Sequence, residues 1–155
     1  MEDLKEFIFE NKPTESCHAS TVLPFDDGRV VAAWFAGTKE SADDVDILTS
    51  VRSESGWSEP VRVSADSNIP HWNPVLFRRA DGKIMLFFKV GKKIPMWKTY
   101  FSLSDNGGET FNLLLRLEDR EGGEFSYPAI TERDGILHIT YTYDREYIAY
   151  RQIKI

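Results

Sequence analysis

The chain has 155 residues, a formal net charge of −6 and 41% hydrophobic residues, and 13% of its residues are aromatic. This length and composition are typical of one globular domain with a core, and they exclude an intrinsically disordered chain. The acidic balance argues against a nucleic-acid partner, because proteins that bind phosphate backbones concentrate Lys and Arg.

Strand patterns dominate the chain from one end to the other. In chain order, we predict strands at 7–9, at 15–21 leading into a hairpin at 22–35, at 45–52, at 57–63, in a second hairpin at 75–88, at 97–104, at 111–117, in a third hairpin at 129–141, and at 147–153. Gly, Pro, Asp and Ser interrupt every long window, so no amphipathic helix is predicted. These patterns together indicate an all-β fold.

The three hairpins repeat one pattern, in which an Asp-Gly turn joins two apolar runs. Their turn glycines, Gly28, Gly82 and Gly135, recur at a period of about 50 residues, which is typical of β-propeller blades. We therefore predict a single domain over 1–155 that consists of three antiparallel four-stranded blades. The blades are expected at about 14–65, 66–118 and 119–155, and residues 1–13 are a candidate strand to complete the last one.

A short turn motif lies at residues 104–111, where Ser-Asp-Asn-Gly-Gly-Glu-Thr-Phe fits the pattern Ser-x-Asp-x-Gly-x-Thr-Trp. Asn106 stands at the Asp position of this pattern and Phe111 at the Trp position. The segment resembles the Asp-box of sialidase-like propellers, and residues 53–57 look like a shortened copy. The motif predicts a structural turn between the outer strands of a blade, in which Gly108 takes the strained backbone angle.

Further segments widen this resemblance to the sialidase-like BNR-repeat family, and they are found at 15–21, 33–37, 40–45, 72–77, 87–91, 123–130 and 138–143. Members of that family are six-bladed propellers of roughly twice this length. The part up to the Asp-box resembles the family's beginning, and the part from about Leu113 resembles its end. Three blades would expose two apolar faces, so we predict a two-fold homodimer that completes a six-bladed ring.

The resemblance implies a set of catalytic residues. Sialidases hold a sugar carboxylate with arginines, protonate the leaving group with an Asp and attack with a Tyr that a Glu activates. In this chain His18 falls at the position of the first arginine, Asp44 resembles the acid with Asp43 as a neighbouring alternative, Tyr127 is the candidate nucleophile and Glu124 its activator. The other arginines have no match, so a uronic or neutral sugar suits the chain as well as sialic acid, and enzymatic activity stays open.

The candidate substrate-binding residues are His71, Trp72, Asn73, Lys89 and Trp97. By hairpin register His18, Asn73 and Tyr127 occupy roughly equivalent positions and are expected to point toward the central channel, where propellers bind ligands. The aromatic candidates either form a sugar-stacking platform or pack one blade on the next. Lys89 either reaches an anionic sugar or pairs with a nearby Asp.

Each catalytic candidate also has a structural interpretation. His18 is either a general acid or base, since its reference pKa lies near neutrality, or a buried histidine hydrogen-bonded to the backbone. Asp44, together with Asp43 and Asp46, is either part of the site or part of a solvated loop. Tyr127 is either the nucleophile or a core aromatic whose hydroxyl is hydrogen-bonded.

Two functions follow from these patterns. The first is a sialidase-like carbohydrate-active protein, a glycoside hydrolase that acts on a sugar in the propeller channel. The alternative is a non-catalytic carbohydrate-binding or self-assembling half-propeller. We predict no metal and no cofactor, and Cys17 is alone, so no internal disulfide forms. No apolar segment is long enough to span a bilayer and the N-terminus lacks a secretion signal, which favours a cytoplasmic protein without a membrane partner.

Overall fold

A computed structural model describes residues 4–64, 68–118, 120 and 123–154 of the chain, and within them strands predominate. The strands of the first sheet are β1 (Ser16–Pro24), β2 (Val30–Gly37), β3 (Asp46–Ser53), β4 (Gly56–Trp57) and β5 (Val61–Arg62). Those of the second are β6 (His71–Arg78), β7 (Ile84–Val90), β8 (Lys98–Ser104) and β9 (Asn112–Arg116), with a 3₁₀ turn at Ile94–Met96. The third contains β10 (Phe125–Arg133), β11 (Ile136–Tyr143) and β12 (Tyr147–Lys154). No helix in these ranges is long and apolar enough to cross a membrane.

The sheets are antiparallel meanders that follow one another along the chain. Their strand orders are β1-β2-β3-β4 with β5 also on β3, β6-β7-β8-β9, and β10-β11-β12. The prediction of an all-β fold with three antiparallel blades is therefore confirmed. In the described residues the third sheet has three strands, whereas the sequence predicts four.

The N-terminal segment packs on the first sheet. The strand predicted at Phe7–Phe9 is wrong, because residues 4–13 contain no strand. Instead, Ile8 and Phe9 cover the outer face of the first sheet, where the rings of Phe9 and Trp34 lie 5.7 Å apart. Glu6 accepts a hydrogen bond from Trp57 Nε1 at 2.9 Å, which anchors the segment to this sheet. Packing of Ile8 and Phe9 thus takes the place of strand pairing.

The Asp-Gly turns differ in length. In the first two hairpins Gly28 and Gly82 adopt left-handed backbone angles, with φ of 84° and 85°. The third turn is tighter, since Arg133 pairs directly with Ile136 and both central residues, Asp134 and Gly135, have positive φ. A two-residue turn of this kind requires positive φ at both positions. This shorter turn explains why the third glycine comes one residue early in the repeat.

The Asp-box forms the predicted turn between β8 and β9. Ser104 Oγ donates to Asn106 Oδ1 at 2.8 Å and accepts a hydrogen bond from Gly108 N at 2.9 Å. Asn106 Oδ1 also accepts from Thr110 N at 3.1 Å, as the oxygen of an Asp would. Phe111 packs against the core between the first two sheets. The structural role predicted for the motif is therefore confirmed.

Two apolar cores hold the three sheets face to face. The first joins the first and second sheets and contains Val31, Ala33, Phe35, Val45, Ile47, Trp72, Leu76, Ile84, Leu86 and Phe88. The second joins the second and third sheets and contains Met85, Phe87, Phe101, Leu117, Phe125, Leu137, Ile139 and Tyr141. Strand β7 contributes to both cores because successive side chains point to opposite faces of a sheet. This packing brings the first strands of the three sheets, β1, β6 and β10, toward one shared space.

Candidate functional site

The first strand of every sheet carries the same irregularity near its start. Two residues lie opposite a single residue of the next strand at 19–20, at 73–74 and at 127–128. The first residue of each bulge has left-handed backbone angles, with φ of 51° at Ala19, 47° at Asn73 and 51° at Tyr127. A bulge re-aims the side chain it carries, and a left-handed non-glycine residue costs about 1–3 kcal/mol. The fold therefore maintains strain at three equivalent positions.

This register corrects one prediction. His18, Asn73 and Tyr127 were expected to be equivalent, but His18 pairs with Phe35 just as Trp72 pairs with Lys89. The residue that matches Asn73 and Tyr127 is Ala19. The prediction counts residues back from the turn glycines, which allows for the shorter third turn. Such a count cannot show where the bulge lies, so it selects His18 in place of its neighbour Ala19.

The bulges open into a cleft of about 630 Å³, which we name the central cleft. Its lining residues are Ala19, Ser20, Asn73, Pro74, Val75, Phe87, Phe88, Lys89, Ile94, Trp97, Thr99, Glu124, Tyr127, Pro128 and Arg145. The cleft brings together five of the predicted site residues, namely Asn73, Lys89, Trp97, Glu124 and Tyr127. The first three belong to the second sheet and its connections, and the last two lie at the start of the third sheet. Their roles stay predictions.

Lys89 is a buried cation at the inner side of the central cleft. The residue is 5% exposed, and its Nζ donates to Thr99 Oγ1 at 2.5 Å and to the carbonyl oxygen of Phe125. No carboxylate of the described residues pairs with it, so the predicted alternative of an Asp partner is wrong. Burial lowers the pKa of Lys89 to about 8. At neutral pH its amine is therefore far more often uncharged than that of an exposed lysine.

Glu124 and Arg145 form an ion pair in the wall of the cleft. Arg145 Nε donates to both carboxylate oxygens of Glu124, at 2.8 Å and 2.9 Å. This hydrogen bond raises the pKa of the Arg145 guanidinium. The turn before β12 is itself fixed, because Glu124 N donates to Asp144 Oδ1 at 2.9 Å. Sequence reasoning missed Arg145, whose only local signal is a polar turn.

Tyr127 stands at the rim of the central cleft. The residue is 83% exposed, so the interpretation as a core aromatic is wrong. The left-handed backbone at Tyr127 directly precedes Pro128, a context that already restricts the backbone. The phenol is thus presented to solvent and to any ligand in the cleft.

The aromatic candidates separate into three environments. Trp97 lines the central cleft and stacks on Trp72, with ring centroids 5.1 Å apart. Trp72 lies behind it, buried, and donates from Nε1 to Gly91 O at 2.8 Å. His71 is buried in the core, with Nδ1 3.1 Å from Asp46 Oδ1, and lies outside the cleft. Trp97 also lines a neighbouring side cleft of about 500 Å³ with Trp72, Lys92 and Lys93.

His18 lies beside the central cleft without lining it. The ring is exposed, so the interpretation as a buried histidine is wrong. It stacks on Phe35 with centroids 5.5 Å apart, and its Nε2 lies 3.0 Å from Ser16 Oγ. Both contacts hold the imidazole against the first sheet.

The aspartates after the first hairpin, Asp43, Asp44 and Asp46, do not line the central cleft. Asp44 accepts hydrogen bonds from the backbone and hydroxyl groups of Thr38, and the hydroxyl contact lowers the pKa of Asp44. It lines a separate cleft with Lys12, Thr14 and Glu15. The contacts with Thr38 thus favour the ionised form of Asp44 and hold it in a cleft separate from the central cleft.

Asp43 pairs with Lys92 at 2.7 Å. Asp46 is buried, which excludes a solvated-loop position for it.

The groups that line the cleft set its chemistry. Among its described lining residues Glu124 is the one carboxylate, beside two cations, a phenol, an amide and an indole. Such a mixture of apolar surface and a few polar groups is typical of small-ligand sites. Within the described ranges no group of three or more His, Cys, Asp or Glu residues is arranged to hold a metal ion.

Comparison with known proteins identifies the architecture. The structure is similar to Penicillium chrysogenum alpha-L-arabinanase complexed with arabinobiose, with a TM-score of 0.71 and 13% identity over 89% of this chain and 46% of that one. It also resembles the GH93 alpha-L-arabinofuranosidase of Fusarium graminearum in complex with arabinobiose, with a TM-score of 0.67 and 13% identity over 89% and 45% of the two chains. Trypanosoma rangeli sialidase in complex with sialic acid matches with a TM-score of 0.61 and 16% identity over 89% and 26%. The chain spans about half the length of the first two structures.

These likenesses support the predicted half of a sialidase-like propeller. A search of curated proteins finds no match. The sequence model of the family described as BNR repeat-like domain matches residues 28–112, which is more than half of the chain. The chain therefore belongs to the family of BNR repeat-like domains, as its Asp-box and repeated hairpins predict.

Proposed function

We propose that the chain binds a carbohydrate in the central cleft. The observation that carries this proposal is the convergence of Trp97, Asn73 and Tyr127 on one cleft beside Lys89 and the Glu124–Arg145 pair. An indole face suits the apolar face of a sugar ring, and the polar groups suit its hydroxyls. The similar structures bound to arabinobiose and sialic acid support a sugar ligand.

The ionisable groups that line the central cleft favour binding of a sugar over its cleavage. Glycoside hydrolases commonly use two carboxyl groups that flank the scissile bond. Glu124 is the one carboxylate among the described lining residues, and both of its oxygens accept from Arg145. Asp44 lines a different cleft. Cleavage is our second candidate, because strained Tyr127 lies in the same cleft as Glu124, the arrangement that a tyrosine nucleophile would require.

A binding screen tests the first candidate. Titration calorimetry with arabinobiose, galacturonic acid and sialic acid should find a ligand, and Trp97→Ala and Tyr127→Ala should each weaken its binding. Tyr147→Ala is the matched control, because Tyr147 is an exposed tyrosine of the third sheet that does not line the cleft. The proposal fails if no sugar of these classes binds, or if the control weakens binding as much as Tyr127→Ala.

A kinetic screen tests the second candidate. Aryl glycosides should release phenol only if the cleft supports cleavage, and Tyr127→Phe and Glu124→Gln should then abolish turnover. Asp44→Asn should leave the rate unchanged if the separate cleft plays no part. Turnover that survives the first two substitutions would contradict the roles proposed for Tyr127 and Glu124.

Self-assembly is supported by the outer faces of the first and third sheets. On the first, Ile8 and Phe9 already cover the buried cluster of Ala32 and Trp34, and Val22 beside this cluster is 62% exposed. On the third, Ile148 is 72% exposed and Tyr150 lies two residues along the same face. In a two-fold dimer the first sheet of each copy would contact the third sheet of the other, so the exposed parts of both faces would be buried in two equivalent contacts. Sedimentation of the 155-residue chain should show a dimer that Ile148→Lys dissociates, and a folded monomer at micromolar concentration would remove this candidate.

A further inference from the structure

The amine of Lys89 has an environment that binding alone does not explain. Its two hydrogen-bond acceptors, Thr99 Oγ1 and the carbonyl oxygen of Phe125, are both neutral. Among the residues that the structure describes, the other charged and titratable groups that line the same cleft are Glu124, Arg145 and Tyr127. Glu124 is already engaged by Arg145, so it supplies no free counter-charge to the ammonium. A buried ammonium without a carboxylate partner is costly, which favours the neutral amine.

The neutral form matters because only a free amine has a lone pair for attack on carbon. Burial lowers the pKa of Lys89 to about 8, while an exposed lysine titrates near 10.4. At pH 7.5 about a quarter of such amines are uncharged, compared with on the order of 0.1% for an ordinary lysine. Desolvation of a lysine in an apolar pocket is one established way to activate it as a nucleophile. The apolar neighbours here are Phe87 and Phe88, which line the same cleft.

We propose that Lys89 is a reactive amine site for aldehydes that enter the central cleft, including the open-chain form of reducing sugars. Nζ attacks the carbonyl carbon and a C–N bond forms while the C=O π electrons move to oxygen. A proton passes from nitrogen to that oxygen and gives a carbinolamine, which loses water to leave an imine. The condensation is balanced without an oxidant or reductant. It goes beyond the proposed sugar binding and does not depend on it.

Thr99 is placed to assist this step. Its hydroxyl lies 2.5 Å from Nζ and its side chain also lines the cleft. An oxygen on the carbon bonded to Nζ would therefore form within reach of the hydroxyl, which can both accept and donate a hydrogen bond. The carbonyl of Phe125 accepts an N–H of the same amine and restricts its rotation.

Reductive labelling tests the proposal on the intact chain. Glyceraldehyde and cyanoborohydride are added between pH 6 and pH 10, and peptide mass spectrometry follows the modification of each lysine separately. At pH 7.5 we expect Lys89 to react on the order of tenfold faster than Lys93, an exposed lysine of the side cleft. The Lys89 rate should level off above about pH 8, while the Lys93 rate continues to rise.

Three variants sharpen the test. Thr99→Val removes an acceptor that stabilises the ammonium, so the midpoint of the Lys89 pH profile should shift to lower pH. Lys89→Met should abolish the fast phase, whereas Lys93→Met should preserve it. If Lys89→Met does not fold, the comparison of lysines within the unaltered chain decides alone. Equal rates for Lys89 and Lys93 at pH 7.5, or parallel profiles up to pH 10, would overturn the proposal even if a sugar binds.

Discussion

Arg145 Nε lies 2.8 Å and 2.9 Å from the two carboxylate oxygens of Glu124, although 21 residues separate them in the chain. The turn before β12 thus returns to the start of β10 and closes one wall of the central cleft. A salt bridge at the rim of a binding site contributes more to orientation than to stability. Its consequences should therefore appear in ligand binding.

Arg145→Gln should weaken sugar binding while leaving the fold intact. The variant loses a charged donor in the cleft and frees the Glu124 carboxylate, so we expect the affinity to fall about tenfold. The melting temperature should change little because the guanidinium is largely exposed. Calorimetry and thermal unfolding measure the two effects. Arg133→Gln, which removes an exposed arginine outside the cleft, should change neither. Loss of stability without loss of affinity in Arg145→Gln would contradict a binding role.

Tyr127→Asn should stabilise the protein and impair its site. Asn adopts the left-handed conformation more readily than Tyr, and it occupies the equivalent bulge position of the second sheet as Asn73. We expect the free energy of unfolding to rise by about 1 kcal/mol while sugar affinity falls. Urea unfolding and calorimetry check both. Tyr147→Asn changes an exposed tyrosine in a regular strand and should not stabilise the chain. A destabilised Tyr127→Asn would show that the bulge is not strained.

The stability difference between the unaltered chain and Lys89→Met should depend on pH. The folded-state pKa of Lys89 is lowered to about 8, so the unfolded chain binds more protons between about pH 8 and 10.4. Stability of the unaltered chain relative to Lys89→Met should therefore rise over this window, by about 3 kcal/mol in total. Below pH 8 the free-energy cost of burying the charged amine is fully present. The stability of Lys89→Met relative to the unaltered chain should therefore be greater there than at pH 10.4. Paired urea titrations at pH 7 and pH 10.4 measure this change, and an unchanged difference would mean that Lys89 titrates normally.

Two glycine substitutions should separate backbone strain from packing. Gly28 and Gly108 both have positive φ, of 84° and 94°. An added Cβ at Gly28 meets nothing within 4 Å, whereas at Gly108 it would lie 2.8 Å from Val31 Cγ2. We expect Gly28→Ala to cost about 1 kcal/mol and Gly108→Ala about 2–4 kcal/mol, because only the second also overpacks a core. Chemical denaturation measures both. Equal costs would show that the Asp-box turn yields to the new methyl group.

Much of the fold could be predicted because its signals are local. A hairpin turn needs a glycine with positive φ at a particular place, and Gly28, Gly82 and Gly135 mark all three. The Asp-box needs an acceptor two residues after Ser104 and an aromatic residue at its end, and Asn106 and Phe111 supply them. In contrast, Phe7–Phe9 is predicted as a strand from composition alone, because local sequence cannot show that Ile8 and Phe9 pack across an existing sheet while Phe7 stays exposed.

The site was harder to predict because its members depend on distant contacts. His18 and Ala19 are neighbours, and the position of a bulge in the pairing of β1 with β2 decides which of them lines the cleft. Asp44 looked like an acid by its place after a hairpin, yet the contacts of its loop to Thr38 hold it elsewhere. Lys89 meets the carbonyl of Phe125, which lies 36 residues later in the chain.

The sequence by itself determined the all-β class, the three repeated hairpins, the Asp-box turn and membership of the BNR repeat-like family, since each rests on residues close together in the chain. Only the tertiary structure decided which candidates share a cleft, that Arg145 completes its wall and that Lys89 is buried without a carboxylate partner among the described residues. The physical reason is that strand register and sheet packing set the distance, burial and solvation of side chains from separate blades. These quantities are properties of contacts between segments, and no single segment contains them.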